Sequence, residues 1–207
     1  MLKILGRVTS INVRKVLWTA DEAGLAYERE DWGMPIRDPH TPEFLRLNPN
    51  GLVPVLIDDG FVLWESSAIM RYLAEGAMGS TLIPKGRQAR ATMEQWLSWQ
   101  SGELAPVSRY AFLALGRPTP GYDDPEKLAL SIGQWSAKMA MVEGMLVDQP
   151  AHVAGSELSL ADIALGVALH RWFAMPFQKP ELPRTRTYYD VLRQRPAAGA
   201  YLGAGTP

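Results

Sequence analysis

The chain has 207 residues, of which 47% are hydrophobic, a formal net charge of −1, and no cysteine. That length holds one large domain or two small ones with a real core, and no basic excess points to nucleic acid or an anionic membrane. The lack of cysteine removes disulfides, thiolate metal sites and redox chemistry at a protein thiol. The opening MLKILGRVTS is too short and too polar for a signal peptide, and no apolar run approaches the ~20 residues of a membrane span, so a cytoplasmic protein is expected.

In chain order, LKIL (Leu2 to Leu5) is a short apolar strand. Val13, Val16, Leu17 and Ala20 recur at helical spacing, and Gly24 ends that helix. Ala26 to Asp31 alternates weakly, like an edge strand, and a proline-rich loop follows from Met34 to Phe44. Val53, Val55, Leu56 and Ile57 form one strand and Phe61 to Trp64 another, with Asp58 to Gly60 as the turn between them. A helix then starts at Ser66 and runs to Ala74. Strands joined by a helix run parallel and a tight hairpin runs antiparallel, so the sheet is mixed.

After Tyr72 the chain turns rich in glycine and becomes a linker. Beyond it the periodicity is helical throughout: Arg87 to Leu115, bent or broken at Pro106, then Asp124 to Val147, Leu160 to Phe173 and Thr185 to Arg193. The expected organisation is an α/β domain over residues 1–77 and an all-α domain over residues 86–207.

Four short stretches need a chemical account. Pro54 sits among strand-forming valines although it has no N–H to give a sheet. Either it is trans at the first residue of an edge strand, or it is cis and turns the N–H and C=O of Val53 outward, toward an extended ligand. SLAD (Ser159 to Asp162), with Leu158 and Ile163 placed as a hydrophobic staple, is a capping box and reads as structural. ESS (Glu65 to Ser67) opens a helix, where free amides suit a carboxylate; it is either a ligand site or a plain cap. TSIN (Thr9 to Asn12) is, by its residues alone, ordinary N-cap chemistry. His152 and His170 lack partners at ligand spacing, so no metal site is expected.

TSINVRKVLWTADEAGLAYE, TPEFLRLNPNGLVPVL, LWESSAIMRYLAE and ELSLADIAL follow one another at spacings that resemble the cytosolic glutathione transferases, of the bacterial kind related to the theta, delta and nu-like classes. The resemblance covers most of the chain and is tightest in its first third. It implies a thioredoxin-like α/β domain with a mixed four-stranded sheet that binds glutathione, then a helical domain that supplies the site for a hydrophobic electrophile. It matches Pro54 to a cis-proline that shapes Val53 into a docking edge for the cysteine of glutathione. Ser66 and Glu65 are implied to hold the γ-glutamyl head. Ser10 is implied to stabilise the thiolate, with Asn12 as a second donor; Thr9, one residue away, is the alternative to Ser10. His40 is a candidate for the glycyl carboxylate, with Arg37 as another. Leu52 stands where relatives carry a cation.

Trp99, Tyr110, Phe112 and Trp172 are the candidates for the electrophile wall, as aromatic residues at helical spacing. Glutathione is then a cosubstrate, no metal is required, and a homodimer is implied. Two other functions fit the same resemblance: a partner-binding protein that keeps the fold without catalysis, and a glutathione-dependent isomerase, dehalogenase or peroxidase.

Overall fold

β1 (Leu2–Leu5) and β2 (Tyr27–Glu30) run parallel because α1 (Ile11–Glu22) carries the chain back between them. The computed structural model describes residues 1–147 and 151–203 and divides into two compact units, Met1–Ile83 and Pro84–Pro207. In the first, a short α2 (Pro42–Leu45) interrupts the proline-rich loop; Pro42 opens it, and the Thr41 hydroxyl accepts from the Phe44 amide. β3 (Val55–Asp58), β4 (Phe61–Trp64) and α3 (Ser66–Gly76) follow. The strand order is β2-β1-β3-β4, with β3 antiparallel to both of its neighbours.

Both faces of the sheet are covered. Strand alternation sends Leu5 and Val55 to the face lined by Trp32 and Phe44, whose rings lie 4.7 Å apart. Ile4 and Leu56 point the other way and are fully buried, as are Val13 and Val16 of α1 and Ile69 and Met70 of α3. β3 begins at Val55, two residues later than the valine pattern indicates, so Pro54 stays out of the ladder. A proline inside this strand would leave a carbonyl of β1 or β4 without its donor.

The second unit is helical. α4 (Arg87–Trp99) and α5 (Ala105–Ala111) are joined by a π-helical turn, Gln100–Leu104, and a second such turn, Phe112–Gly116, follows α5. Pro106 therefore does not break the helix. Ala105 donates to Gln100 O, five residues back, and this wider turn makes room for the proline ring. α6 (Pro125–Met145), α7 (Leu160–Ala174), α8 (Pro183–Arg193) and a short α9 (Gly199–Leu202) complete the unit.

α7 is buried along nearly its whole length, and its first turn carries a buried carboxylate. The capping box of Ser159 and Asp162 forms, and Leu158 and Ile163 are both buried at the staple positions. Asp162 is 0% exposed, and its carboxylate accepts from the Ser159 amide at 2.8 Å, the Ser159 hydroxyl at 2.7 Å, the Val153 amide at 2.9 Å and the Tyr188 hydroxyl at 2.6 Å. The His152 ring nitrogen stands 3.7 Å off, too far for a good hydrogen bond. Burial pushes the Asp162 carboxyl upward, but His152, Tyr188, the Val153 amide and Ser159 together outweigh it and hold the group below the usual carboxylate range. Burial, with the charge and hydrogen bond of Asp162 beside it, drives the Tyr188 hydroxyl well above its ordinary value.

Asp162 joins three segments through one charge, so its loss leaves several buried donors unmatched. Asp162→Ala is expected to cost about 3–5 kcal/mol in urea unfolding. A carboxylate with a depressed folded-state pKa stabilises above its unfolded value, about 3.9, and that contribution is lost as pH falls. Wild-type stability should therefore drop on acidification from about pH 5 downward, and the part due to this group should be missing in Asp162→Asn.

Candidate functional site

Three segments of the first unit meet at one end of its sheet: the turn from β1 into α1, the residues before β3, and the start of α3. Gly6 makes the first junction. Its φ is +153°, and a Cβ there would lie 2.4 Å from Val13 Cγ2 and 3.3 Å from Val53 Cβ. Only glycine lets the turn close onto both. The Gly6 and Arg7 amides donate to Glu30 O and Trp32 O, which ties the turn to β2.

The turn leads to Ser10, the N-cap of α1. Ser10 has extended backbone, and its carbonyl accepts from the Arg14 amide, but its hydroxyl makes no capping hydrogen bond. Thr9 differs: its hydroxyl accepts from Arg7 Nη1 at 2.6 Å. Arg14 Nε donates to Val8 O at 2.8 Å and pins the turn from the helix side.

Val53 is joined to Pro54 by a cis peptide bond; Met34–Pro35 is cis as well. Asn48 positions the approach to Val53. Buried at 3% exposure, it donates through Nδ2 to Leu52 O at 2.7 Å and accepts through Oδ1 from the Asn50 amide. Leu52 itself is 61% exposed. Because Val55 pairs with Trp64 in an antiparallel register, Val53 and Pro54 run beside the chain that becomes Glu65 and Ser66.

Glu65 is the N-cap of α3 at φ +73°, ψ 111°, a conformation rare for a side chain with a Cβ. Ile69 donates the first intrahelical bond, to Glu65 O, so the amides of Ser66, Ser67 and Ala68 find no carbonyl within the helix. Ser66 is 6% exposed, and its hydroxyl donates to Asn12 Oδ1 at 3.4 Å, a long bond that links the starts of α1 and α3. Asn12 thus turns its carbonyl oxygen toward Ser66.

His40 is exposed. Its amide donates to Asp38 Oδ1 at 2.9 Å and its Nδ1 lies 3.1 Å from the same oxygen, while the opposite edge of the ring rests on Gly51, where a Cβ would come within 2.8 Å. That places it two residues along the chain from Val53. The His40 amide in turn holds the Asp38 carboxyl below the usual range. Arg37 is engaged elsewhere: it pairs with Glu30, bonds Glu43 at 3.1 Å and stacks 3.5 Å from the centre of Trp32.

The aromatic candidates of the second unit separate by burial. Trp99 is half-buried and meets Trp96 edge-on at 5.3 Å. Tyr110 is half-buried too, and its hydroxyl accepts from the Asp124 amide at 3.0 Å, which fixes the start of α6. Phe112 is nearly buried beneath the Arg171 guanidinium, 3.6 Å away. Trp172 is a correction to the sequence reading. It is 0% exposed, packed on Trp135 and Phe177, and meets a ligand only if that core opens. Among the described residues, no three of histidine, aspartate or glutamate gather where a metal ion would bind.

The sequence reading missed Gly6, Arg7, Gly33 and Asn48. Of these only Asn48 carried a signal, the turn chemistry of NPNG.

A family model described as Glutathione S-transferase, N-terminal domain, matches residues 9–75, and its C-terminal counterpart matches residues 125–204. Glutathione S-transferase GstB of Escherichia coli is 33% identical over 199 residues, 95% of each chain. The crystal structure of a theta-class glutathione S-transferase from Xanthomonas axonopodis pv. citri, with glutathione bound, is similar at 37% identity and a TM-score of 0.92, covering 99% of this chain and 98% of that one. A delta-class enzyme of Nilaparvata lugens is similar at 27% identity and a TM-score of 0.83, covering 98% of this chain and 93% of its own.

The positive φ at residue 65 suits glycine better than glutamate. Glu65→Gly is expected to raise folding stability by about 1 kcal/mol in urea unfolding. A glutamate kept there against that preference points to a role other than stability.

Proposed function

The chain belongs to the glutathione S-transferase family and is a glutathione transferase, and on that premise we propose where glutathione lies and which side chains act on it. The first unit is the glutathione domain. The observation that carries the reading is the Ser10 hydroxyl, which stands at a helix N-terminus without a capping bond while the neighbouring Thr9 hydroxyl is engaged by Arg7. Thr9 only accepts in that bond and keeps its proton, so the choice of Ser10 as the donor to sulfur rests on its uncapped place at the helix N-terminus.

The extended cysteinyl residue of glutathione pairs with the backbone of Val53, which lies outside the β3 ladder and next to cis-Pro54. The γ-glutamyl carboxylate meets the Ser66 amide and hydroxyl at the start of α3, where the helix dipole favours an anion. Glu65 takes the ammonium of the same head. The Ser66 hydroxyl has one proton, so it leaves Asn12 Oδ1 for the carboxylate, and the Asn12 amide group donates toward the sulfur. His40 is the candidate for the glycyl end.

The chemistry follows from the thiol. Its reference pKa is about 8.5, so only a few per cent is thiolate at pH 7. A hydroxyl about 3 Å from sulfur and the N-terminus of α1 both favour the anion. Lowering the thiol pKa by one takes about 1.4 kcal/mol of preferential stabilisation of the thiolate. Ser10 donates and does not attack; the sulfur is the nucleophile. Holding it beside an electrophile adds the advantage of proximity. The second unit meets the hydrophobic electrophile through Trp99, Tyr110 and Phe112. No helix among the described residues is long and apolar enough to cross a membrane, which fits a cytoplasmic enzyme.

The working form is a homodimer. β4 is an edge strand, and the 51% exposed Phe61 on it stacks 5.5 Å from the half-exposed Tyr72 of α3, an aromatic pair that a second copy would cover. Light scattering should give twice 22.9 kDa, and Phe61→Asp should move the population toward monomer.

Calorimetry with glutathione tests the site. Saturable binding to the wild type is expected, weakened about tenfold or more by Ser66→Ala. Ser10→Ala is expected to bind glutathione within about threefold of the wild type. Its turnover of a model aryl halide should fall at least tenfold at neutral pH and recover as pH rises through the free-thiol pKa. No binding to the wild type would overturn this placement of the ligand.

A further inference from the structure

The turn before α1 contains a cation that the sequence did not single out. Arg7 Nη1 donates to Thr9 Oγ1 at 2.6 Å. The stem of the same side chain runs along Gly33, where a Cβ would lie 3.2 Å from Arg7 Nε and 3.5 Å from Val53 Cγ2. The guanidinium therefore spans two walls, the Thr9–Ser10 turn on one side and the Gly33–Val53 contact on the other. These are the walls between which the cysteine of glutathione lies if Ser10 faces the sulfur and Val53 docks its backbone. Gly33 has φ +105° and no side chain, which makes room for the arginine to pass.

Charged side chains of β1, β2 and the loop after β2 bond to one another. Glu30 accepts from Lys3 at 3.2 Å and from Trp32 Nε1 at 3.0 Å, and it also pairs with Arg37. Arg14, the other cation on the turn, is directed to Val8 O.

We propose that Arg7 is a second thiolate-stabilising group of this site: its guanidinium, bonded to Thr9 in the turn that carries Ser10, sets positive charge beside the sulfur. This rests on the glutathione placement above. Arg7 acts on the sulfur through space and on Ser10 through the turn, so it is a positioning and electrostatic residue. Charge within a few ångströms of a half-buried group acts at an effective dielectric well below that of water, enough to move a thiol by about a pKa unit.

The test uses the full-length protein and two probes. Thiolate absorbance of bound glutathione, followed against pH, gives the thiol pKa. Binding of S-methylglutathione, which has no ionisable thiol, reports docking alone. Arg7→Met, which keeps the stem over Gly33, is expected to raise the bound thiol pKa by about one, a tenfold loss of thiolate below that pKa. It should bind S-methylglutathione within about twofold of the wild type. Arg7→Lys, which keeps the charge, should stay within about 0.3 of the wild-type pKa. Arg7→Gln gives the same readout if the methionine variant does not fold. A thiol pKa unmoved in Arg7→Met, a lysine variant displaced as far as the methionine one, or a matching loss of S-methylglutathione binding would each overturn the proposal. Failure of the wild type to bind either probe would instead overturn the placement of glutathione and is distinguished by the same titration.

Discussion

The site depends on an atom that is absent. Without a Cβ at residue 6, the turn leaving β1 closes onto Val13 of its own helix and onto Val53 at the mouth of β3. Any larger residue would clash with Val13 and push these apart, and the packed interior beneath does not yield by that much. Everything proposed for the thiol hangs on this closure. Ser10 is carried by the turn, Val53 is what the turn touches, and α1, whose N-terminus faces the site, is packed directly beneath through Val13. Gly33 repeats the device on the other side of Val53, where its missing side chain lets Arg7 pass.

The elements were legible in the sequence because each is an amphipathic or buried piece with its own punctuation. The alternation that marked β3 and β4, and the glycine and proline that marked the linker, rest on local physics. Two readings shifted. β3 begins after Pro54, since a proline cannot hold a place in an internal strand. Pro106 bends nothing into a break, because a π turn widens the helix ahead of it. Hydrophobic pattern alone does not distinguish a broken helix from one that reorganises its hydrogen bonds.

The side chains of the site were legible only in part. Pro54, Ser66 and Glu65 stood out through motif and helix position. Gly6 and Arg7 did not, because their roles depend on contacts with residues 13, 33 and 53, and no local pattern encodes a contact of that range. Trp172 was misread for a related reason. Aromatic residues at helical spacing line cores and clefts alike, and only burial against Trp135 and Phe177 separates the two. The strained φ of Glu65 was likewise invisible, since nothing in ESS announces it.

Ser10 and Ser159 show how far a motif carries an argument. Both precede a helix, both are N-cap residues, and from sequence the same capping chemistry serves for either. In the structure Ser159 is fully buried, and its hydroxyl and amide both bind Asp162, so no polar capacity is left for a ligand. Ser10 is half-buried, and its helix is held without its hydroxyl: Arg14 secures the turn through Val8 O, and the Ser10 carbonyl takes the first helical bond. One helix start is stabilised through its serine and the other independently of it. The hydroxyl that the fold does not use is the one that remains for chemistry.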